Sequence, residues 1–177
     1  MSPDPRTWPA VLRTLVAGHD LTDAQATWAM EAILAGEATD AQIGGFAMAL
    51  RAKGESPVEV EAFVRVMLAH ARLVAHDDVV LDVVGTGGDQ SHSVNISTMS
   101  ALVAAAAGAP IVKHGNRAAS SSTGTADVLE ELGIAIMLEP DQVARSVREA
   151  GIGFCFAPLH HPALKNAAQA RRDLGVP

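Results

Sequence analysis

The sequence predicts an α/β protein in which a small all-helical amino-terminal domain, residues 1–76, precedes a parallel-sheet α/β domain, residues 77–177. Three observations predict it. Before residue 76, helical spacing of apolar residues is punctuated by capping boxes. After residue 79, short β-branched runs alternate with helical stretches, the pattern of crossover units in a parallel sheet. The first such run meets the next helix through a glycine-rich segment, where open α/β sheets place ligands.

The first domain reads as four short helices. Three open with a hydroxyl followed three residues later by Gln or Glu: Thr22 to Gln25, Thr39 to Gln42 and Ser56 to Glu59. Trp8, Val11, Leu12 and Leu15 form one apolar helical face, and Val60, Phe63, Val64 and Met67 form another. Gly18, Gly36 and Gly54 stand where these helices stop.

In the second domain the expected strands are VVLDVV at 79–84, APIVKHG at 109–115, IAIML at 134–138 and IGFCFAP at 152–158. A helix over 95–107 follows the first strand. A last helix starts near Pro162 and ends at Gly175, and residues 161–175 are expected to pack back on the helical domain. The chain stops where a doubly wound sheet is expected to continue, so the α/β domain reads as truncated.

Composition excludes several functions. No run approaches about 18 unbroken apolar residues, which argues against a membrane span. The start MSPDPRTWPA lacks the basic and apolar regions of a secretion signal, so a cytoplasmic location is expected. A net charge of −7 with scattered bases argues against a nucleic-acid surface. Cys155 is the single cysteine, so no internal disulfide can form; its setting in GFCFAP suggests a small apolar filler of a buried strand.

Gly85, Gly87 and Gly88 let backbone amides turn towards an anion, and the helix beginning near Asn95 adds unpaired N–H groups and a positive dipole end. That describes a phosphate cradle. The familiar nucleotide motifs fail, because Gln90 stands at the third glycine of GxGxxG and no Gly-Lys-Ser/Thr follows. Asp89 repels phosphate unless it binds a sugar hydroxyl, orients a turn or is bridged by a cation, which implies a ribose phosphate or a metal. Ser97 is placed to put its hydroxyl on Mg²⁺, with Thr98 facing phosphate. Asn95, Ser97 and Thr98 equally suit plain helix capping. A second polar cluster, KHGNRAASSSTGTAD, follows the next strand and emerges on the same sheet edge. Lys113 and Arg117 there offer positive charge, Gly115 close approach, and Ser120, Ser121 and Thr125 donors.

The stretches DVVGTGGD, SVNIST, KHGNR and GFCFAPLHHPALKNAAQARRDLGV resemble the anthranilate phosphoribosyltransferase family of tryptophan biosynthesis, over nearly the whole chain. The resemblance implies a Mg²⁺-dependent transferase joining anthranilate to phosphoribosyl pyrophosphate (PRPP) with release of pyrophosphate. It also implies a homodimer formed through the amino-terminal helices. It assigns Gly85, Gly88, Asp89, Ser93, Asn95, Ile96, Ser97 and Thr98 to PRPP. Lys113, His114, Gly115, Asn116, Arg117, Ala118, Ala119, Ser120, Ser121 and Thr125 continue that site. Gly85, Asn116 and Arg171 match anthranilate-contacting positions, and Ser97 the Mg²⁺ ligand. His160 and His161 resemble a motif lining the aromatic substrate's approach. The chain departs from the family at Ser122, where a lysine is usual. It also stops short of the family's second half, whose adjacent Asp-Glu pair holds Mg²⁺.

The amine of anthranilate is itself a usable nucleophile, so positioning and leaving-group stabilisation suffice and no covalent nucleophile is expected. The adjacent acids Asp77 and Asp78, and Glu130 and Glu131, read as solvated. Two other functions fit the same sequence. One is a nucleoside phosphorylase-like glycosyl transfer; the other is a non-catalytic binding or dimerising module.

Overall fold

The computed structural model describes residues 5–77, 79–84, 94–117 and 123–175. In chain order the elements are α1 (Trp8–Val16), α2 (Asp23–Leu34), α3 (Asp40–Lys53), α4 (Pro57–Ala69), α5 (Ile96–Ala106), β1 (Ile111–Gly115), α6 (Thr125–Glu131), α7 (Pro140–Ala150), β2 (Ile152–Phe156), α8 (Ala157–His160), a 3₁₀ stretch (Pro162–Ala167) and α9 (Ala168–Leu174). The chain divides into two compact units, Met1–Ala71 with Ala163–Val176, and Arg72–Pro162 with Pro177.

In the helical unit, all three capping boxes form, at Thr22, Thr39 and Ser56. Trp8, Val11 and Leu15 of α1 are buried at helical spacing in a core shared with Ala26, Ala29, Ile43, Phe46 and Phe63. Edge-to-face aromatic contacts run through that core: Trp8 to Phe46 at 6.0 Å and Phe46 to Phe63 at 5.9 Å. On α4 the buried stripe is Glu59, Ala62, Phe63 and Val66, whereas Val60 and Val64 of the expected face are 45% and 48% exposed. The face turns because the Glu59 carboxylate finds inward hydrogen-bond partners and is fully buried. Towards the carboxyl end, Asn166 donates through Nδ2 to the Leu34 carbonyl at 2.8 Å, and Ala167 and Ala170 join the core. The helix expected from Pro162 begins as 3₁₀ turns and becomes α-helical only at Ala168.

The α/β unit holds a two-stranded parallel sheet among the described residues. Ile111 of β1 pairs with Ile152 of β2, and the register runs to Gly115 opposite Phe156. Behind the sheet, Ala126, Leu129, Ile136, Phe154 and Phe156 form the core. Gly151, at φ 75°, ends α7 in the left-handed conformation that lets the chain turn directly into β2. Gly153 faces α7 so closely that a Cβ there would lie 2.9 Å from the Val143 carbonyl oxygen.

Two of the expected strands differ. Residues 79–84 make a single parallel bridge, Leu81 to Ile111, rather than a ladder. Side chains take the groups that would extend it: Asp82 Oδ1 accepts the His114 N–H, and the Val83 carbonyl accepts from Lys113 Nζ. Residues 134–138 form no strand among the described residues. Only Ile136 of that run is buried, while Ile134 and Met137 are 41% and 63% exposed, so the run lacks the two covered faces of an inner strand.

Candidate active site

The candidate site lies within the α/β unit, where the start of α5, the end of β1 and the start of α6 converge. Asn95 caps α5: its Oδ1 accepts from the Thr98 N–H at 3.2 Å, the Thr98 hydroxyl at 2.7 Å and the Ser97 hydroxyl at 3.2 Å. Thr98 in turn meets Thr125, Oγ1 to Oγ1, at 3.4 Å. The capping role expected of these residues is therefore present, and the same bonds fix their hydroxyls at the helix start.

Strand alternation points Lys113 to the same side of β1 as Ile111, and both are buried. The Lys113 ammonium donates to the Val83 carbonyl at 2.5 Å and to the Ser97 hydroxyl at 3.2 Å. Burial holds its pKa below the ordinary value, partly offset by the Asp82 charge. Lys113 and Thr98 also line a cavity of about 330 Å³, but its other walls are chiefly apolar, among them Leu102, Leu129, Ile134 and Phe154. Such a lining does not suit a diphosphate.

His114 lies edge-on to His161, ring centroids 5.6 Å apart. Burial lowers the pKa of both, and mutual repulsion with His160 adds to it; for His114 the Asp82 carboxylate opposes and Lys113 reinforces the shift. His160 is 4% exposed and ties the chain together, its Nδ1 donating to the Arg72 carbonyl at 3.0 Å while its own carbonyl accepts the Arg72 N–H at 2.8 Å. Cys155 is buried in β2, and burial pushes its thiol up to about 11. That keeps it inert at neutral pH.

Gly115 ends β1 against α6. A Cβ there would lie 2.9 Å from Thr125 Cβ and 3.1 Å from Phe154 Cε2, so only glycine fits without displacing α6. The Asn116 carbonyl accepts the Ala126 N–H at 3.1 Å, which seats the start of α6. Arg117 forks onto Glu130, with Nη2 to Oε1 at 2.9 Å, lies 3.6 Å from Asp127, and stacks 5.6 Å from the Phe156 ring centre. Glu130 is exposed, as expected, and also serves as a surface ion-pair partner.

The structure therefore gathers Asn95, Ile96, Ser97, Thr98, Lys113, His114, Gly115, Asn116, Arg117 and Thr125 in one unit. Arg171 is exposed on α9, within the helical unit. Gly85, Gly88, Asp89, Ser93, Ala118, Ala119, Ser120, Ser121 and Ser122 lie outside the described residues. Sequence reasoning missed Asp82, whose carboxylate binds the β1 backbone; a charged residue inside a β-branched run was the available signal.

Mg²⁺ was expected on Ser97. That hydroxyl already accepts from the Lys113 ammonium and donates to Asn95. Among the described residues no group of three or more His, Cys, Asp or Glu could hold a metal ion. A Mg²⁺ at Ser97 would therefore draw its remaining ligands from outside the described residues.

A helical-bundle unit and a parallel-sheet unit in which the starts of α5 and α6 meet the end of β1 define a class. Residues 9–71 match the helical bundle domain of the glycosyl transferase family and residues 77–177 its a/b domain, and the chain belongs to that family. The proteins it is similar to are anthranilate phosphoribosyltransferases. The one from Rhodococcus jostii is 59% identical over 97% of this chain and 48% of its own length, and the one from Acidothermus cellulolyticus is 59% identical over 100% and 50%. The solved structure from Thermus thermophilus superposes with a TM-score of 0.86 at 42% identity, covering 94% of this chain and 51% of that one. The Saccharomyces cerevisiae enzyme in complex with PRPP and Mg gives a TM-score of 0.86 at 26% identity, covering 98% and 53%. The chain spans about half the length of the curated relatives it matches.

Proposed function

We propose that this chain contributes the PRPP-holding and anthranilate-holding surfaces of an anthranilate phosphoribosyltransferase. The supporting observation is the convergence of α5, β1 and α6, where Ser97, Thr98, Lys113 and Thr125 are joined by hydrogen bonds on one sheet edge. In the reaction, the anthranilate amine forms a bond to the ribose anomeric carbon as the bond to pyrophosphate breaks, and the amine then loses a proton. The capped start of α5 supplies a positive dipole end towards the departing diphosphate. Gly115 lets α6 seat closely against β1, and the resemblance assigns Asn116 and Arg171 to anthranilate. Mg²⁺ would accompany the diphosphate, as the yeast relative is solved in complex with PRPP and Mg.

A second copy of the chain is the expected partner, in the cytoplasm. Val60, Val64 and Leu68, 45%, 48% and 53% exposed and one helical turn apart on α4, give the helical unit an apolar stripe that a homodimer would cover. No helix among the described residues is long and apolar enough to cross a membrane.

The test is calorimetry of PRPP with Mg²⁺ on this chain. It is paired with a fluorescence assay of anthranilate consumption, with and without a polypeptide comprising the remaining half of the Rhodococcus jostii relative. Binding by the chain, with turnover at least on completion, is expected. Absence of both, or turnover of a nucleoside with phosphate in place of anthranilate, overturns the proposal.

A further inference from the structure

The last four carbonyls of α2 each receive a donor, and one of those donors comes from far along the chain. The Glu31 carbonyl accepts the Ala35 N–H at 2.8 Å, the Ala32 carbonyl the Glu37 N–H at 2.9 Å and the Ile33 carbonyl the Gly36 N–H at 3.1 Å. The Leu34 carbonyl accepts from Asn166 Nδ2 at 2.8 Å, across 132 positions of sequence. Gly36 takes φ 77° in the turn that closes the helix, and a Cβ on it would lie 3.2 Å from that Nδ2. The side-chain amide is thus seated tightly against the end of α2.

Asn166 stands in the 3₁₀ stretch just before α9, the helix that carries Arg171. Ala167 and Ala170 are buried in the core of the helical unit, and Arg171, which follows Ala170, is exposed. Of the two adjacent arginines, Arg172 is engaged within α9, its Nη2 donating to Gln169 at 2.7 Å. Arg171 makes no side-chain hydrogen bond or ion pair among the described residues, so its guanidinium is open to an anion.

We infer that Asn166 is a positioning residue for anthranilate: by closing the carboxyl end of α2 it fixes where α9 stands, and so where the Arg171 guanidinium is held. A helix of seven residues does not hold itself in water, so tertiary contacts set its place. The alanine contacts are apolar and non-directional; they resist rolling of α9 but allow it to slide. The Asn166 bond is directional and of fixed length, and it opposes sliding. This role rests on reading Arg171 as the residue that takes the anthranilate carboxylate.

Amide hydrogen exchange on the chain tests it together with steady-state kinetics in the chain completed by the Rhodococcus jostii second half, using Asn166→Ala, Arg171→Ala and the double variant. Asn166→Ala is expected to speed exchange at Arg172 and Asp173, inside α9, because local opening becomes easier. It should raise the anthranilate KM by about two- to tenfold, the range for one lost hydrogen bond, with the PRPP KM unchanged. In the Arg171→Ala background it should add nothing, since a residue that acts through Arg171 then has nothing to position. An equal effect in that background, an unchanged anthranilate KM, or unchanged exchange overturns the role. Should Asn166→Ala lose its cooperative unfolding, Asn166→Asp decides by the same readouts, because it keeps the volume beside Gly36 and removes the donor. An anthranilate KM raised in Arg171→Ala but not in Asn166→Ala refutes the positioning role alone. No turnover in the completed wild-type chain, or a KM unchanged in Arg171→Ala, refutes the anthranilate reading and this role with it.

Discussion

The Lys53 ammonium lies 2.8 Å from the Glu59 carboxylate, with side-chain exposures of only 6% and 0%. Glu59 also accepts the Leu21 N–H at 2.9 Å and the Ser56 N–H at 2.7 Å, and Lys53 reaches Asp20 at 2.7 Å. One carboxylate thereby joins the end of α3, the start of α4 and the chain entering α2. Glu59→Ala leaves a buried ammonium and two backbone donors short of a partner, and should destabilise the helical unit by about 3 kcal/mol. Trp8 and Trp28 are the two tryptophans and both lie in this unit, so their fluorescence during urea unfolding reports on it directly.

The same pair gives a pH dependence. Burial alone would raise the Glu59 pKa, but hydrogen bonds from Leu21, Lys53 and Ser56 outweigh it and hold the group below the ordinary 4.5. Burial likewise opposes the Lys53 charge, and Asp20 and Glu59 outweigh it, so its pKa rises above 10.5. A depressed carboxylate contributes stability above its unfolded pKa and loses it as pH falls through the folded one; a raised amine loses its contribution as pH climbs. Tryptophan-monitored stability should therefore fall below pH 4.5 and again above pH 10.5, and Glu59→Gln should flatten the acid limb. An acid limb equally steep in the variant would remove Glu59 from its cause.

Gly153→Ala tests the contact between α7 and β2. The added Cβ would meet Val143 Cγ1, the Val143 carbonyl and Val147 Cγ2, each at 2.9 Å. The carbonyl belongs to a helix backbone and cannot rotate away, so α7 must shift, at a cost of about 2 kcal/mol. This loss belongs to the α/β unit, and circular dichroism should show it while tryptophan fluorescence does not.

The parts legible in the sequence were those with local signals. The capping boxes at Thr22, Thr39 and Ser56 depend on groups three residues apart, and the apolar face of α1 repeats at helical spacing. The face of α4 was misread because Glu59 counts as polar in any periodicity, while its burial depends on Lys53, Leu21 and Ser56, brought together only by folding. The runs 79–84 and 134–138 were read as strands from composition, yet side-chain bonds from Asp82 and Lys113 end the first ladder after one bridge. At the candidate site the residue types were legible but not their direction. Lys113 reads as positive charge offered to an anion, and the structure buries it on the Ile111 side of β1, bonded to Val83 and Ser97. Arg117 likewise read as open to an anion, whereas Glu130 and Asp127 hold it.

The histidines predict the acid response of the α/β unit. Burial lowers the pKa of His114 and His161 from 6.5, with the rings repelling one another and His160. The unfolded chain then binds more protons than the folded one below pH 6.5, so stability present above that value is lost as pH falls through the folded pKa values. Denaturation followed by circular dichroism at pH 7.5 and 5.5 should show the loss, and His161→Gln should reduce it. Asp82→Asn should deepen it, since the Asp82 charge now favours protonated His114.

Arg171 separates two roles that look alike on a surface helix. Its neighbour Ala170 is buried, so Arg171, one helical step on, faces outward in the last turn of α9. A cation there interacts with the helix dipole, worth about 0.3–1 kcal/mol, and lysine would serve as well. A bidentate contact to the anthranilate carboxylate instead needs the planar guanidinium, which lysine lacks. Loss of such a charge-assisted contact costs about 1.5–3 kcal/mol, roughly ten- to hundredfold in apparent KM. In the chain completed by the Rhodococcus jostii second half, Arg171→Ala and Arg171→Lys should both raise the anthranilate KM, with little change in PRPP use. Tryptophan-monitored stability should stay near wild type in both. Full recovery by lysine, or a KM unchanged in alanine, would reduce Arg171 to a helix-terminal charge and remove it from the anthranilate surface.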